Sequence, residues 1–351
     1  MRGLSSGRLA GFCELPLSAS LRSAPLPRGA RKGAKLAAGF SSPLWGEVVR
    51  AANRRGVAAS FVALTVMLFF AILHAAAYAA PLQLAPYKDD LFAYPAELSS
   101  RDDGDYRVFD YREYRDINQR DAIPERRVND QYVSLGVRRV QQDEALDSPL
   151  GTLRTFAVGV AKGASVITVY LHGQGGSRSQ GVDDFTFGGN FNRIKNLMAD
   201  NGGLYLSPDF SDFGDKGAGE VAAIIEHYLR LSPHAALFVA CGSMGGHICW
   251  KLADKPEIAP KLSGLLLLGS MWDEDFFKSA AYKRKAPVFF AQGSHDVVFP
   301  VERQEAFFED IRKRSPGYPT RFARFETGTH GTPIRMTDWR QVLDWMLSLK
   351  K

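Results

Sequence analysis

The chain has 351 residues, 45% of them apolar and 23% charged, which is the composition of a globular protein and excludes a low-complexity or fibrous one. Its formal net charge of +6 is misleading, because residues 1–80 hold ten Arg or Lys against two acids, Glu14 and Glu47. Removing those from 44 basic and 38 acidic residues leaves 34 and 36, a net of −2, so nothing in the remainder points to nucleic acid as a partner.

Residues 1–50 are rich in Gly, Ala, Ser, Pro and Arg and show no periodicity. They read as a disordered basic leader or an upstream translation artefact, with an organellar transit peptide the less favoured reading. In residues 51–80, Arg54-Arg55 precede an uncharged apolar run from Val57 to Leu73, followed by Ala77-Tyr78-Ala79 and Pro81. That is the order of a secretory signal peptide cleaved near Ala79. An uncleaved signal anchor over residues 57–79 is the alternative, at the lower limit for spanning a bilayer. Either way the expected location is periplasmic or secreted, with any membrane attachment through this segment alone.

Residues 81–130 read as a charged N-terminal extension. Asp102 to Asp130 is crowded with Asp, Glu and Arg and is expected to wrap the domain as a solvated, ion-paired segment. Residues 131–351 read as one α/β domain. Tyr132 to Val140 and Leu153 to Val160 alternate as strands and would open the sheet in antiparallel fashion, together with the continuous apolar strand Val166–Leu171. Strand and helix patterns then alternate. The strands are Leu204–Leu206, Leu237–Ala240, Leu265–Leu268, Val288–Ala291 and Phe322–Phe325. The helices lie around Phe191–Met198, Val221–Tyr228, His247–Ala253 and Glu302–Lys313, with a last one from Trp339 to Met346 behind the cap Thr337. Such alternation gives a mostly parallel sheet with helices on both faces, and functional groups gather beyond the strands' carboxyl ends.

Those ends carry the chemistry. Leu237 to Gly246 is an apolar strand running through Cys241-Gly242-Ser243-Met244-Gly245 into a helix, the form of a nucleophile elbow. A hydroxyl needs a base to take its proton and an acid to orient that base. The strand at Val288 runs into Gly293-Ser294-His295-Asp296, and the strand at Phe322 runs into Gly328-Thr329-His330-Gly331. Asp209 and Asp273 also lie near strand ends and compete with Asp296 for the acid's place. His172-Gly173-Gln174-Gly175-Gly176 follows the first parallel strand, and its small residues could offer N–H groups to a developing oxyanion. Gly173-Gln174-Gly175 partly matches a dinucleotide fingerprint, but the third glycine position is Arg178, so no dinucleotide is expected. No spacing suits a metal, and no cofactor is expected.

Together, the His172-Gly173-x-Gly-Gly loop, the elbow at Ser243 and the turns at Asp296 and His330 resemble the α/β-hydrolase superfamily over roughly residues 150–350. The likeness is to compact-cap, esterase- and peptidase-like members. The resemblance implies Ser243 as nucleophile, His330 as general base then acid, Asp296 as its orienter, and the backbone N–H groups of Gln174 and Met244 as oxyanion donors. Cys241 departs from the usual first glycine of the elbow. The implied activity is that of an exported serine hydrolase acting on a small-molecule ester or other acyl substrate, the alternative being a non-catalytic binding protein on the same fold. Trp272 and Phe276 follow the next strand and would line a pocket or belong to the core. Cys241 and Cys249 are expected to be buried thiols, because a disulfide between a strand end and the following helix looks poorly placed.

Overall fold

The computed structural model describes residues 82–124 and 126–350, and the leader and apolar segment within residues 1–81 lie outside them. Among the described residues, twelve strands run in chain order: β1 Glu97–Arg101, β2 Tyr106–Phe109, β3 Asp121–Ile123, β4 Arg127–Val128, β5 Gln141–Ser148, β6 Gly151–Gly159, β7 Val166–Leu171, β8 Leu204–Pro208, β9 Ala236–Gly242, β10 Leu262–Leu268, β11 Val288–Gly293 and β12 Thr320–Phe325. The α-helices are α1 Asp89–Phe92, α2 Asn190–Asp200, α3 Asp215–Leu231, α4 Gly246–Leu252, α5 Ala280–Lys283, α6 Val301–Arg314, α7 Thr332–Met336 and α8 Trp339–Ser348.

Ten strands form one sheet in the order β1-β2-β12-β11-β10-β9-β7-β8-β6-β5, while β3 and β4 pair separately. The pairings from β8 through β7, β9, β10, β11 and β12 to β2 are parallel. Those of β6 with β5 and β8, and of β1 with β2, are antiparallel. β7, β9 and β11 are buried at every position, as expected of near-continuous apolar runs covered on both faces. One face packs α3, α4 and α6 through Ile224, Ile248 and Phe308. The other packs α2 and α8 through Phe191, Ile194, Trp339 and Leu343. The chain goes from β7 outward to β8 and then returns past β7 to β9. The order of strands therefore reverses between β7 and β9, the place beyond whose carboxyl ends functional groups gather in such sheets.

Several expectations need correction. Residues 132–140 are not a strand: they form 3-10 turns over Asp130–Tyr132 and Leu135–Val140, where only Val137 is buried. Asn192 holds Ser134 from both sides, accepting from its N–H at 2.9 Å and donating to its carbonyl at 3.1 Å. The strand is the polar run that follows, Gln141–Ser148, at a sheet edge where charge is tolerated. The extension does more than wrap the domain, because β2 pairs with β12 and residue 131 is no structural boundary. Some of its charges pair among themselves, as in Arg107 with Glu97 and Arg115 with Asp110, and others with the domain, as in Asp105 with Arg312, while Tyr106, Phe109, Tyr111 and Ile117 are buried. The last helix is capped by Asp338, which accepts from Gln341 N–H, while Thr337 bonds back to the Pro333 carbonyl.

Cys241 and Cys249 form a disulfide, contrary to the expectation of thiols. The tight turn after β9 folds α4 straight back across the strand and brings the two Cα atoms to 6.3 Å, within bridging range.

Below α2 a carboxylate is buried with its donors. Asp184, whose side chain is 2% exposed, accepts from Lys195 Nζ and Asn192 Nδ2 at 2.6 Å and Arg138 Nε at 2.7 Å. Burial alone would raise its pKa, but the Lys195, Asn192 and Arg138 bonds together hold it below the usual carboxylate value. A pKa depressed in the folded state stabilises above the unfolded value, about 3.9, and the gain is lost as pH falls through the folded one. We expect wild-type unfolding free energy, measured in urea, to fall on acidification through that range. Asp184→Asn should start less stable at pH 7 and lose less on acidification.

Candidate active site

Ser243 leaves β9 with φ +51°, a left-handed conformation that costs energy for any residue with a Cβ. The turn closes because Gly245 lies under the β7 end, where a Cβ would come within 2.6 Å of the Leu171 carbonyl oxygen. Ser270, just past β10, donates from its hydroxyl to the Ser243 carbonyl at 2.6 Å.

The sequence-predicted trio meets. Ser243 Oγ lies 2.9 Å from His330 Nε2, and His330 Nδ1 lies 2.8 Å from Asp296 Oδ2. The Asp296 side chain is fully buried, whereas that of His330 is 29% exposed. Asp296 Oδ1 accepts from the N–H groups of Val298 at 2.8 Å and Phe299 at 3.0 Å, and Oδ2 also accepts from Gln292 Nε2 at 2.6 Å. A serine on the turn after β9, an acid after β11 and a histidine after β12, around a sheet with this strand reversal, decide the architecture.

The chain has the α/β-hydrolase fold.

The loop after β7 faces Ser243. A Cβ built on Gly173 would lie 2.7 Å from Ser243 Cβ and 3.2 Å from its Oγ, so only glycine fits. Gln174 follows, exposed, and Met244, next after Ser243, is half-buried. His172 Nδ1 is 2.9 Å from the Gly173 carbonyl oxygen, and its ring stacks on Phe210 at 4.3 Å. Burial lowers the pKa of His172 and favours a neutral imidazole. Its role is to brace the loop.

Two supports went unnoticed in the sequence. The first joins the acid and histidine loops: Ser294 N–H donates to the Phe325 carbonyl at 2.9 Å and His295 N–H to that of Gly328 at 2.8 Å. Thr327, at φ +62°, donates its N–H to Ser294 Oγ at 2.8 Å and its hydroxyl to the Tyr111 carbonyl at 2.9 Å. The extension thus helps hold the turn that carries His330. The second is Arg178, which ends the loop facing Ser243. Its Nε and Nη2 grip both oxygens of Asp143 at 3.0 and 2.9 Å, and its Nη1 reaches Asp209 at 2.5 Å. Asp143 lies on β5 and Asp209 just past β8, so the guanidinium clamps the loop to the sheet. Arg178→Ala should lower kcat roughly tenfold to a hundredfold with little change in KM, because small displacements of a positioned group are that costly. Steady-state kinetics with a soluble ester would read it.

The rival acids are engaged elsewhere. Asp209 holds Arg178, and Asp273 accepts from Asp275 N–H at 2.9 Å. Phe276 is 1% exposed and packs with Trp250, Phe307 and Tyr318 in the core, and it also borders a cleft of about 310 Å³ beside Trp250, Asp273 and Ser279, away from Ser243. Trp272 is half-buried, with the Arg303 guanidinium 5.1 Å from its ring.

No protein-family model matches the sequence, and no curated protein matches it. Solved structures resemble it at low identity. A protein of unknown function from Agrobacterium tumefaciens, described as a candidate α/β-hydrolase, is 17% identical with a TM-score of 0.49, over 60% of this chain and 98% of the other. An α/β serine hydrolase homologue from Coxiella burnetii is 18% identical with a TM-score of 0.44, over 58% and 95%. A lidless α/β serine hydrolase from Xanthomonas campestris is 17% identical with a TM-score of 0.43, over 59% and 93%. Likenesses of this size carry no argument about function, and the assignment of fold stands on strand order and geometry.

Proposed function

We propose that the chain is an exported serine hydrolase that cleaves a carboxylic ester, or an amide or thioester, through an acyl-enzyme on Ser243. The observation that carries this reading is the 2.9 Å approach of Ser243 Oγ to His330 Nε2 on a strained turn. In this reading the Nδ1–H of His330 donates to Asp296, so Nε2 is free to accept the serine proton as Oγ attacks the carbonyl carbon. Charge developing on the carbonyl oxygen is taken up by the N–H groups of Gln174 and Met244, each worth about 3 kcal/mol of barrier. His330 then protonates the leaving group, and the same imidazole activates the water that releases the acid. Trp272 borders the acyl site in this proposal. Export is supported by the apolar segment after Arg54-Arg55 and fits a disulfide, which persists in oxidising compartments. Purified protein should hydrolyse short p-nitrophenyl esters with an initial burst of p-nitrophenol. Protein that is folded yet inert on esters, amides and thioesters alike would defeat the enzyme reading.

A further inference from the structure

The end of the molecule opposite Ser243 carries an uneven charge. The loops that lead into the parallel strands bring exposed cations together, Lys261 before β10 and Arg284 and Lys285 before β11, with the exposed acids Asp254 and Glu257 also in the loop before β10. Lys313 and Lys350 join them from the ends of α6 and α8. Two clefts, of about 870 and 590 Å³, run along this pole and share Gly317, Pro319 and Leu349 as walls. Their only acidic lining residues are Asp105 and Glu309. Both are already neutralised, Asp105 by Arg312 at 3.0 Å and Glu309 by Arg101 at 2.5 Å. Arg284 and Lys285 donate only to carbonyls, those of Leu262 and Pro316. Among the described residues, Lys261, Lys313 and Lys350 have no carboxylate partner. Such clustering is unexpected on a domain whose net charge is −2.

The chain enters at the same pole. Ala85 N–H donates to Asn201 Oδ1 at 2.6 Å, where α2 ends and β8 begins. Leu84 is fixed to α8, its N–H on Asp344 at 2.8 Å and its carbonyl on Arg340 Nε at 2.7 Å. The apolar run from Val57 to Leu73 lies only a few residues upstream of Leu82.

We propose that this pole is a docking face for an anionic phospholipid surface, with the Ser243 end directed into the aqueous phase. Lysine ammonium groups act as mobile point charges and suit a diffuse layer of headgroup phosphates better than a shaped ligand. Lipid is favoured over other polyanions in the reading that keeps residues 57–79 as a signal anchor, because the described chain begins at this pole with that apolar run upstream in sequence. The inference does not depend on the hydrolase reading and stands or falls separately.

The test uses the full chain with vesicles of phosphatidylcholine alone or mixed with phosphatidylglycerol. Lysine acetylation rates are read by mass spectrometry. On the anionic vesicles Lys261, Lys285, Lys313 and Lys350 should react about fivefold more slowly or less, and the protection should vanish at about 1 M salt, where the screening length is roughly 3 Å. Lys216, at the start of α3 on the opposite end, serves as the internal reference and should react equally on both. The combined change Lys261→Glu, Lys285→Glu and Lys350→Glu should abolish protection of Lys313. Equal rates at the four lysines on both lipids would overturn the proposal. So would equal protection by soluble polyphosphate or DNA in place of vesicles, which would make the face a general polyanion surface.

Discussion

Asp296→Asn should lower kcat on an activated ester by about 10⁴-fold while leaving the protein folded. The reason lies in the acceptor count of this carboxylate. Oδ1 faces two backbone N–H groups, from Val298 and Phe299, and Oδ2 faces His330 Nδ1 and Gln292 Nε2. An amide has one oxygen to serve both sides. With its NH₂ turned to the backbone it meets two donors in a buried site, which is costly. With its NH₂ turned to His330 it forces the imidazole proton onto Nε2, where the ring can no longer accept from Ser243. The second arrangement removes the general base without moving it far, while the first keeps the tautomer but is disfavoured by the clash of donors and lacks the carboxylate's charge. Kinetics beside a thermal melt would separate this from unfolding. A variant with near-wild-type kcat would mean that Asp296 does not set the tautomer.

Ser243 should give a still larger effect. Ser243→Ala is expected to reduce turnover by roughly 10⁵- to 10⁶-fold, the scale seen when a nucleophile is removed from an intact site. Ser243→Gly should be equally inactive but more stable than wild type by about 1 kcal/mol, since glycine accepts the left-handed backbone that serine adopts at φ +51°. That pairing, activity lost and stability gained, is the signature of a residue kept for chemistry at the expense of local strain. Urea unfolding of both variants, alongside ester kinetics, would measure it.

The parallel half of the sheet was readable because both of its faces are covered. β7, β9, β10 and β11 therefore appear as short apolar runs bounded by turn residues. β5 left no such mark, since an edge strand can be polar on both sides. β2 was hidden for a different reason: Tyr106 and Phe109 are embedded in charges that satisfy one another locally, as in Arg107 with Glu97. Its parallel register against β12 is a long-range choice that local pattern does not encode. Ser243, Asp296 and His330 were each visible because a tight turn at a strand's end demands small neighbours, which are rare enough to notice. The polar contacts that set their distances were not. Ser294, Thr327 and Arg178 are ordinary residue types, and only the fold brings Thr327 to Tyr111 or Arg178 to Asp143 and Asp209. The disulfide depended likewise on how sharply α4 turns back over β9. Phe276 fell between pocket and core because an aromatic residue near a strand end suits either, and it is both, packed against Trp250 and Phe307 while bordering a cleft.

The central claim, that Ser243 is a nucleophile activated by His330, can be tested by a single covalent measurement. Wild-type protein is treated with a fluorophosphonate, digested and sequenced by mass spectrometry. The expected result is one phosphonate adduct, on the peptide containing Ser243, absent from Ser243→Ala and strongly slowed in His330→Ala. Folded wild-type protein that takes up no adduct, or takes it up on another serine with Ser243 unmodified, would contradict the account.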